Sequence, residues 1–418
     1  MTPGRSRLTR AVIVNVVLLT MIAPLATDMY VPGFPAVGRD LGAGATGVQL
    51  TLTTYFVGMA LGQLVGGPTS DQRGRRRPLL ASLIVMLLAS VVCAISPNIA
   101  VMMVARFVQG FSGGWAMVIG RSIVLDLASS TRMIKVLNLI QGIAGIAPII
   151  GPLVGGVIVQ FFDWRVAFWL LAVWTVAMLV TVAVSVPESL PVERRHGGGL
   201  HTLRGAAAQV LRSRGFVGYV IVMALSMGVT FAYVATSAFV LQSMNGLSPM
   251  MYSIDFAANA LGLAIATLIA ARLAGAVPTR TVILVGLSGT ASAGLLLLAG
   301  AVWFGMPLLV ALVGFFVLMT AQGLVGPNAG ALASGEVPDH PGTGSAVLGF
   351  LQWCAAGVVA PLAGLGGAST AVPMASIVLV LVAASFAALL GLASTTRGGP
   401  VDPSLAVSVE TGQTGTLR

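Results

Sequence analysis

Charge is placed in this sequence where it is costly and therefore informative. Asp28 ends an apolar stretch beginning at Ala11, Arg106 divides the uncharged residues 78–105 from 107–120, and Asp255 interrupts an apolar stretch running from 215 to 271. Ionisable side chains inside a membrane span normally face a bundle interior or a watery path, and they mark ion or substrate routes. At such a place an Asp is able to exchange a proton or pair with a cation. An Arg is able to modulate that exchange, or simply to hold the carbonyls of neighbouring helices. Asp28 has a second reading as a helix-end cap near the headgroups, and Asp255 one as an outer-interface residue. A different chemistry is written at Gly67-Pro-Thr-Ser-Asp71-Gln-Arg73-Gly74-Arg75-Arg76-Arg77-Pro78. There Gly74 permits a sharp turn, and Asp71 and Arg75 sit four apart at helix ends, a spacing that suits an ion pair.

Other chemistries are excluded or unsupported. Cys93 and Cys354 lie within apolar runs, where each reads as a small packing residue. His196, His201 and His340 sit in polar connections without metal-ligand spacing, so no metal site is expected. Ile134 precedes the lone Lys135 where a phosphate-binding loop needs Gly, so ATP use through such a loop is excluded and no cofactor is expected. The net charge of +10 comes from dispersed arginines rather than a basic patch beside stacking aromatics, which argues against nucleic acid. An enzyme would show His or carboxylates clustered at one membrane face, and none are.

The elements that must position these residues follow from composition. Of 418 residues 57% are hydrophobic and 8% charged, against about a quarter charged in ordinary soluble domains. A water-soluble fold is ruled out, and so is disorder, which needs low hydrophobicity and high charge. About 20 mainly apolar residues cross a bilayer. The charges cut the chain into twelve such helices, near 11–32, 47–67, 78–96, 100–125, 135–160, 166–186, 216–241, 249–271, 280–300, 307–330, 343–365 and 371–393. Arg5, Arg7 and Arg10 before an apolar run resemble a secretion signal, but the apolar run continues toward Val31 and reads as a retained first span. Outer connections hold only Arg39 and Arg165, which predicts both termini on the cytoplasmic side of the inner membrane. The expected organisation is a six-helix bundle at 1–186, a cytoplasmic linker at 187–215, a second bundle at 216–395 and a tail at 396–418. Leu200, Leu203, Ala207 and Leu211 predict an interfacial helix in the linker. Gln109-Gly110 and Gln322-Gly323, each followed by Gly three residues on, hint at an internal repeat.

The loop at 67–78 resembles the signature Gly-x-x-x-Asp-x-x-Gly-Arg-Arg of the major facilitator superfamily. Arg106-Phe-Val-Gln109-Gly110 resembles its Arg-x-x-Gln-Gly motif. Ala147-Pro-Ile-Ile-Gly151-Pro152-Leu-Val-Gly155-Gly156 is similar to a Gly/Pro motif of its exporters, with Ala147 in place of the first Gly. Thr27–Pro35, Thr51–Phe56 and Pro327-Asn328-Ala329 extend the likeness to the Bcr/CflA drug exporters over nearly the whole chain. The resemblance implies an all-α membrane protein of two pseudo-symmetric six-helix bundles, working by alternating access and exchanging drugs or other small amphiphiles for protons. It implies proton coupling at Asp28 and Arg106, and gating by Gly67, Asp71, Gly74, Arg75, Arg76, Asp126, Gly151, Pro152, Gly155 and Gly156. Gln72 stands where the family has a basic residue, and the eleventh span offers no Arg to Asp71; an Arg75–Asp126 contact is expected instead. Asp28, Tyr30, Tyr55, Tyr233, Asp255, Gln352 and Trp353 are the expected substrate contacts. A monomer in the lipid bilayer is expected, with a small molecule and protons as its partners. The rival expectation is a transporter dedicated to one metabolite, such as a siderophore, sugar or amino-acid derivative.

Overall fold

The computed structural model describes residues 9–127, 136, 139–140, 142–143, 145–195, 209–337 and 341–393. Among them the chain is helical, with one isolated bridge, Ala274 to Val277, outside any strand. Apolar segments in a bilayer must satisfy their own backbone hydrogen bonds, and the helix does so within each segment. The first bundle holds spans one to six: Arg10–Asp28, Ala45–Arg73, Arg76–Ala94, Ile99–Leu127, Ala147–Phe161 and Arg165–Ser185. The second holds spans seven to twelve: Arg214–Ala238, Pro249–Leu273, Thr279–Trp303, Leu308–Gly335, Pro341–Ala363 and Val372–Gly391. Among the described residues ten helices are long and apolar enough to cross a membrane. The other two are the fourth, whose apolar run is broken by Arg106 and Gln109, and the fifth, whose described part begins at Ala147.

Several boundaries differ from the sequence expectation, the tenth span running on to Gly335 rather than 330, and two of them bear on the site. The first span ends at Asp28 rather than at 32, and a 3-10 turn at Val31–Gly33 leads into a short helix, Phe34–Asp40. Pro32 explains this, because its ring would collide with the Asp28 carbonyl in a continued helix. The second span runs on to Arg73, so Asp71 sits in its last turn. The ninth and tenth spans, expected near 280–300 and 307–330, are joined by a turn in which Gly305 and Met306 are both left-handed (φ 64° and 61°). The interfacial helix expected on Leu200, Leu203 and Ala207 lies outside the described residues, as do Arg5, Arg7, Lys135, the three histidines and the tail at 396–418; Leu211 lies in a turn.

Backbone-close packing organises the first bundle. Gly58, Gly62 and Gly66, one per helical turn of the second span, lie against the fourth span at Phe107, Phe111 and Trp115. Gly110 and Gly114 reciprocate against the carbonyls of Tyr55 and Met59, and a Cβ at any of the five would run into main chain. Small residues four apart allow this approach. The two bundles repeat one polar clamp. Gln109 Nε2 donates to Ser90 Oγ at 2.8 Å, and Gln322 Nε2 donates to Thr290 Oγ1 at 3.0 Å. Three residues before each Gln stand Arg106 in the first bundle and Met319 in the second.

The bundles meet through the second and eleventh spans and the fifth and eighth. Among the described residues three hydrogen bonds cross between them: Gln49 Nε2 to the Ala235 carbonyl (2.9 Å), Thr46 Oγ1 to the Gly364 carbonyl (3.1 Å) and Gln242 Nε2 to the Pro32 carbonyl (3.0 Å). All three lie at the end remote from the Asp71–Arg77 loop, so the bundles are fastened at that end.

Candidate functional site

Arg106 is fully buried in the fourth span. Its Nη1 donates to the Ala26 carbonyl at 3.0 Å and to Gln109 Oε1 at 2.7 Å. The guanidinium carbon lies 4.2, 5.0 and 5.7 Å from the ring centres of Tyr55, Tyr30 and Phe168. Aromatic faces attract a cation electrostatically, most strongly when it is desolvated. The charge is therefore held by π-faces, a carbonyl and an amide oxygen, without a carboxylate partner. Its Nε and Nη2, and the Tyr55 hydroxyl beside it, are buried without hydrogen-bond partners, while the Tyr30 hydroxyl lies 3.0 Å from Thr51 Oγ1.

Asp28 is buried two residues beyond Ala26, with the Thr27 hydroxyl 3.0 Å from its carboxylate. It is thus packed inside the protein. The fifth span closes over it. A Cβ at Gly151 would lie 3.0 Å from that of Asp28, and one at Gly155 would strike the Met29 carbonyl. Gly156 in turn faces Ser253 of the eighth span. Gly151, Gly155 and Gly156 therefore seat the Asp28–Met29 corner on one side and the opposite bundle on the other.

Asp255 is half-buried in the second bundle, where its Oδ2 accepts from Asn259 Nδ2 at 2.9 Å. The same nitrogen donates to the Tyr233 hydroxyl at 3.0 Å. Tyr30, Tyr55 and Tyr233, expected as cavity residues, are packed inside the protein in this conformation. Trp353 is half-buried and stacks on Phe56 at 5.4 Å, an aromatic junction between bundles; its neighbour Gln352 lies 3.7 Å from the Met227 sulfur. The structure thus gathers Asp28, Arg106, Tyr30 and Tyr55 at one place, Asp255 and Tyr233 at another, and Trp353 with Gln352 on the border.

The loop motif forms a compact latch. Arg75 donates to Asp71, to Ser70 Oγ at 2.6 Å and to Asp126 at 3.0 Å, which realises the expected Arg75–Asp126 contact. Burial weakens the Arg75 charge, but the bonds and charges of Asp126 and Asp71 outweigh it and hold the guanidinium above its ordinary value. Gly74 adopts φ 87°, and a Cβ there would meet Glu188 and Arg195. Arg76 donates to the Ala183 carbonyl of the sixth span, and Gly67 packs beside Val118. Sequence reasoning missed Glu188 and Ser189. Glu188 accepts from the backbone N–H of Arg75 (2.7 Å) and of Arg76 (3.3 Å), capping the third span, while Ser189 donates to Asp126 (2.9 Å). The available signal was a lone acidic residue just after the sixth span, opposite in charge to the loop.

Twelve spans in two bundles, with buried charges between helices that form no ion pair among the described residues, have the layout of a membrane transporter. The family model described as Major Facilitator Superfamily matches residues 16–361, and the chain belongs to that superfamily. It is 34% identical to the "Uncharacterized MFS-type transporter YdgK" of Bacillus subtilis, over 93% of this chain and 96% of the relative. It is 28% identical to the "Bicyclomycin resistance protein homolog" of Haemophilus influenzae (85% and 89% covered) and 27% identical to the "Multidrug resistance protein MdtL" of Escherichia coli (92% and 95%). In fold it is similar to a D-xylose-proton symporter, with TM-score 0.72 at 17% identity over 94% of this chain and 99% of that one.

Proposed function

We propose that this transporter exports drugs or other small amphiphilic molecules across the inner membrane in exchange for protons, as a member of the Bcr/CflA group. The observation that carries the reading is the Asp28–Arg106 arrangement. A buried carboxylate and a buried guanidinium share the Ala26–Asp28 stretch without forming an ion pair, and the guanidinium Nε and Nη2 are left without hydrogen-bond partners among the described residues. Putting an uncompensated charge in a membrane interior is costly, so loading or removing a proton at Asp28 changes which bundle arrangement is favoured. Gly151 and Gly155 seat the fifth span on this corner, which gives protonation a mechanical path to the eighth span. The Asp71–Arg75–Asp126 latch, with Arg76 and Gly74, steadies the arginine-rich end, which we place in the cytoplasm with both termini. Substrate would meet the aromatic junction of Phe56, Phe231 and Trp353 between the bundles. The printed names of the bicyclomycin and multidrug resistance relatives support the drug reading.

The test is expression in a pump-deficient, drug-sensitive host across antibiotic classes, with everted vesicles to follow proton exchange. Resistance to chemically unrelated compounds and drug-evoked proton movement are expected. Transport of a single metabolite only, or uptake into intact cells, would overturn the reading.

A further inference from the structure

Asp255 lies outside the Asp28–Arg106 arrangement and carries a polar cluster of its own. Its Oδ2 is bonded to Asn259 Nδ2, which also serves the Tyr233 hydroxyl. That leaves Asn259 Oδ1, fully buried, without a hydrogen-bond partner. Ser237 Oγ lies 3.0 Å from the Tyr252 hydroxyl. The walls are aromatic: Tyr233 and Tyr252 pack on Phe256 with ring centres 5.3 and 6.0 Å apart, and Tyr233 packs on Phe315 at 5.1 Å. No ion pair to Asp255 exists among the described residues. The titratable groups near it are Tyr233 of the seventh span and Tyr252 of its own, with Asp28 in electrostatic reach of Tyr252 from the other bundle. Asp255 is also the one member left half-open, beside the exposed helix-face residues Met251, Ile254 and Ala258.

A carboxylate without an ion-pair partner among the described residues, an amide oxygen without a donor and surrounding aromatic faces are together most complementary to one kind of ligand. It must be positive, and it must donate to or coordinate both oxygens. A buried acceptor left without a donor is costly, and a desolvated cation gains from aromatic faces. An anionic ligand would meet only repulsion at Asp255, and a neutral apolar one would leave both oxygens unsatisfied.

We propose that Asp255, Asn259 and Tyr233 form a cation site in the second bundle, taking a monovalent cation such as a primary ammonium group or sodium. Placing that ammonium on a transported substrate rests on the exporter reading; binding of free sodium does not.

The experiment uses the purified full chain and everted vesicles with three probes: dansylcadaverine, its neutral N-acetyl derivative, and ²²Na⁺. If the cation is substrate-borne, Asp255→Asn and Asn259→Leu weaken dansylcadaverine binding by about tenfold or more, leave the acetylated compound unchanged, and Asp255→Glu restores part of the loss. If it is a free ion, saturable ²²Na⁺ binding is seen in the native chain and lost in both variants. Equal loss of both dansyl probes together with unaltered or absent ²²Na⁺ binding overturns the proposal, and so does no change in any probe. A variant that fails to purify monodisperse is replaced by Asp255→Glu, whose binding ratio between charged and acetylated probe decides in the same way. Failure of the exporter reading looks different: no vesicle transport of any compound by the native chain.

Discussion

Arg106 lies with its guanidinium carbon 4.2 Å from the ring centre of Tyr55, while the Tyr55 hydroxyl has no hydrogen-bond partner. The ring face is what Arg106 uses; the hydroxyl is left over. Tyr55→Phe should therefore keep the fold and the stacked guanidinium, with a melting temperature close to the native value. Arg106→Lys should not substitute, because an ammonium lacks the planar face that stacks on the Tyr55 and Tyr30 rings. Transport activity measured alongside detergent-solubilised melting should fall at least about tenfold for Lys. Native activity in Arg106→Lys would show that only the charge matters.

Asp28→Asn retains size and one hydrogen-bonding oxygen but cannot gain or lose a proton. Binding of a neutral substrate should survive, while export driven by an imposed pH gradient should be abolished. The check is transport in proteoliposomes with and without that gradient. Undiminished gradient-driven export would remove Asp28 from the coupling role.

Asp126→Asn removes a charge that Arg75 and Ser189 both address. Hydrogen bonds to charged groups contribute about 1.5–3 kcal/mol, and exposure of Asp71 to solvent limits what it can compensate. Melting should fall by a few degrees and turnover should fall with it. Glu188→Gln tests the capping contact: it keeps an acceptor for Arg75 N–H but loses the charge facing Arg195, so a smaller effect is expected.

Gly74→Val places a branched side chain at φ 87° and against Glu188. Left-handed backbone is a genuine outlier for β-branched residues. Turnover should drop far more than equilibrium substrate binding, and unchanged turnover would refute the gating role. Gly110→Val is the contrasting case, since its side chain has only the Tyr55 main chain to move into. That variant should fail to accumulate as folded protein.

The spans were legible because scarce charges bracket them, and the 305–307 turn because Gly and Pro flank Met306. Boundaries failed where a local collision decided them, as at Pro32. Arg75–Asp126 was readable from the loop motif, whereas Glu188 was not, since its bond to the Arg75 backbone spans 113 positions and no local spacing announces it. The tyrosines illustrate a further limit. Sequence names Tyr30 and Tyr55 as expected substrate contacts, but only packing shows that in this conformation their rings clasp Arg106. Gly58, Gly62 and Gly66 stand four apart in the sequence, but the fourth-span residues they fit against are known only from the fold.

The three hydrogen bonds fastening the bundles at one end set a mechanical scale. At about 1 kcal/mol net each, they hold with roughly 3 kcal/mol. One elementary charge crossing 100 mV releases about 2.3 kcal/mol. Under the proposed proton-driven cycle, the hydrogen-bonded part of the clasp is thus of the same order as one ion's worth of drive, and the packing of the second on the eleventh span adds to what a stroke must undo.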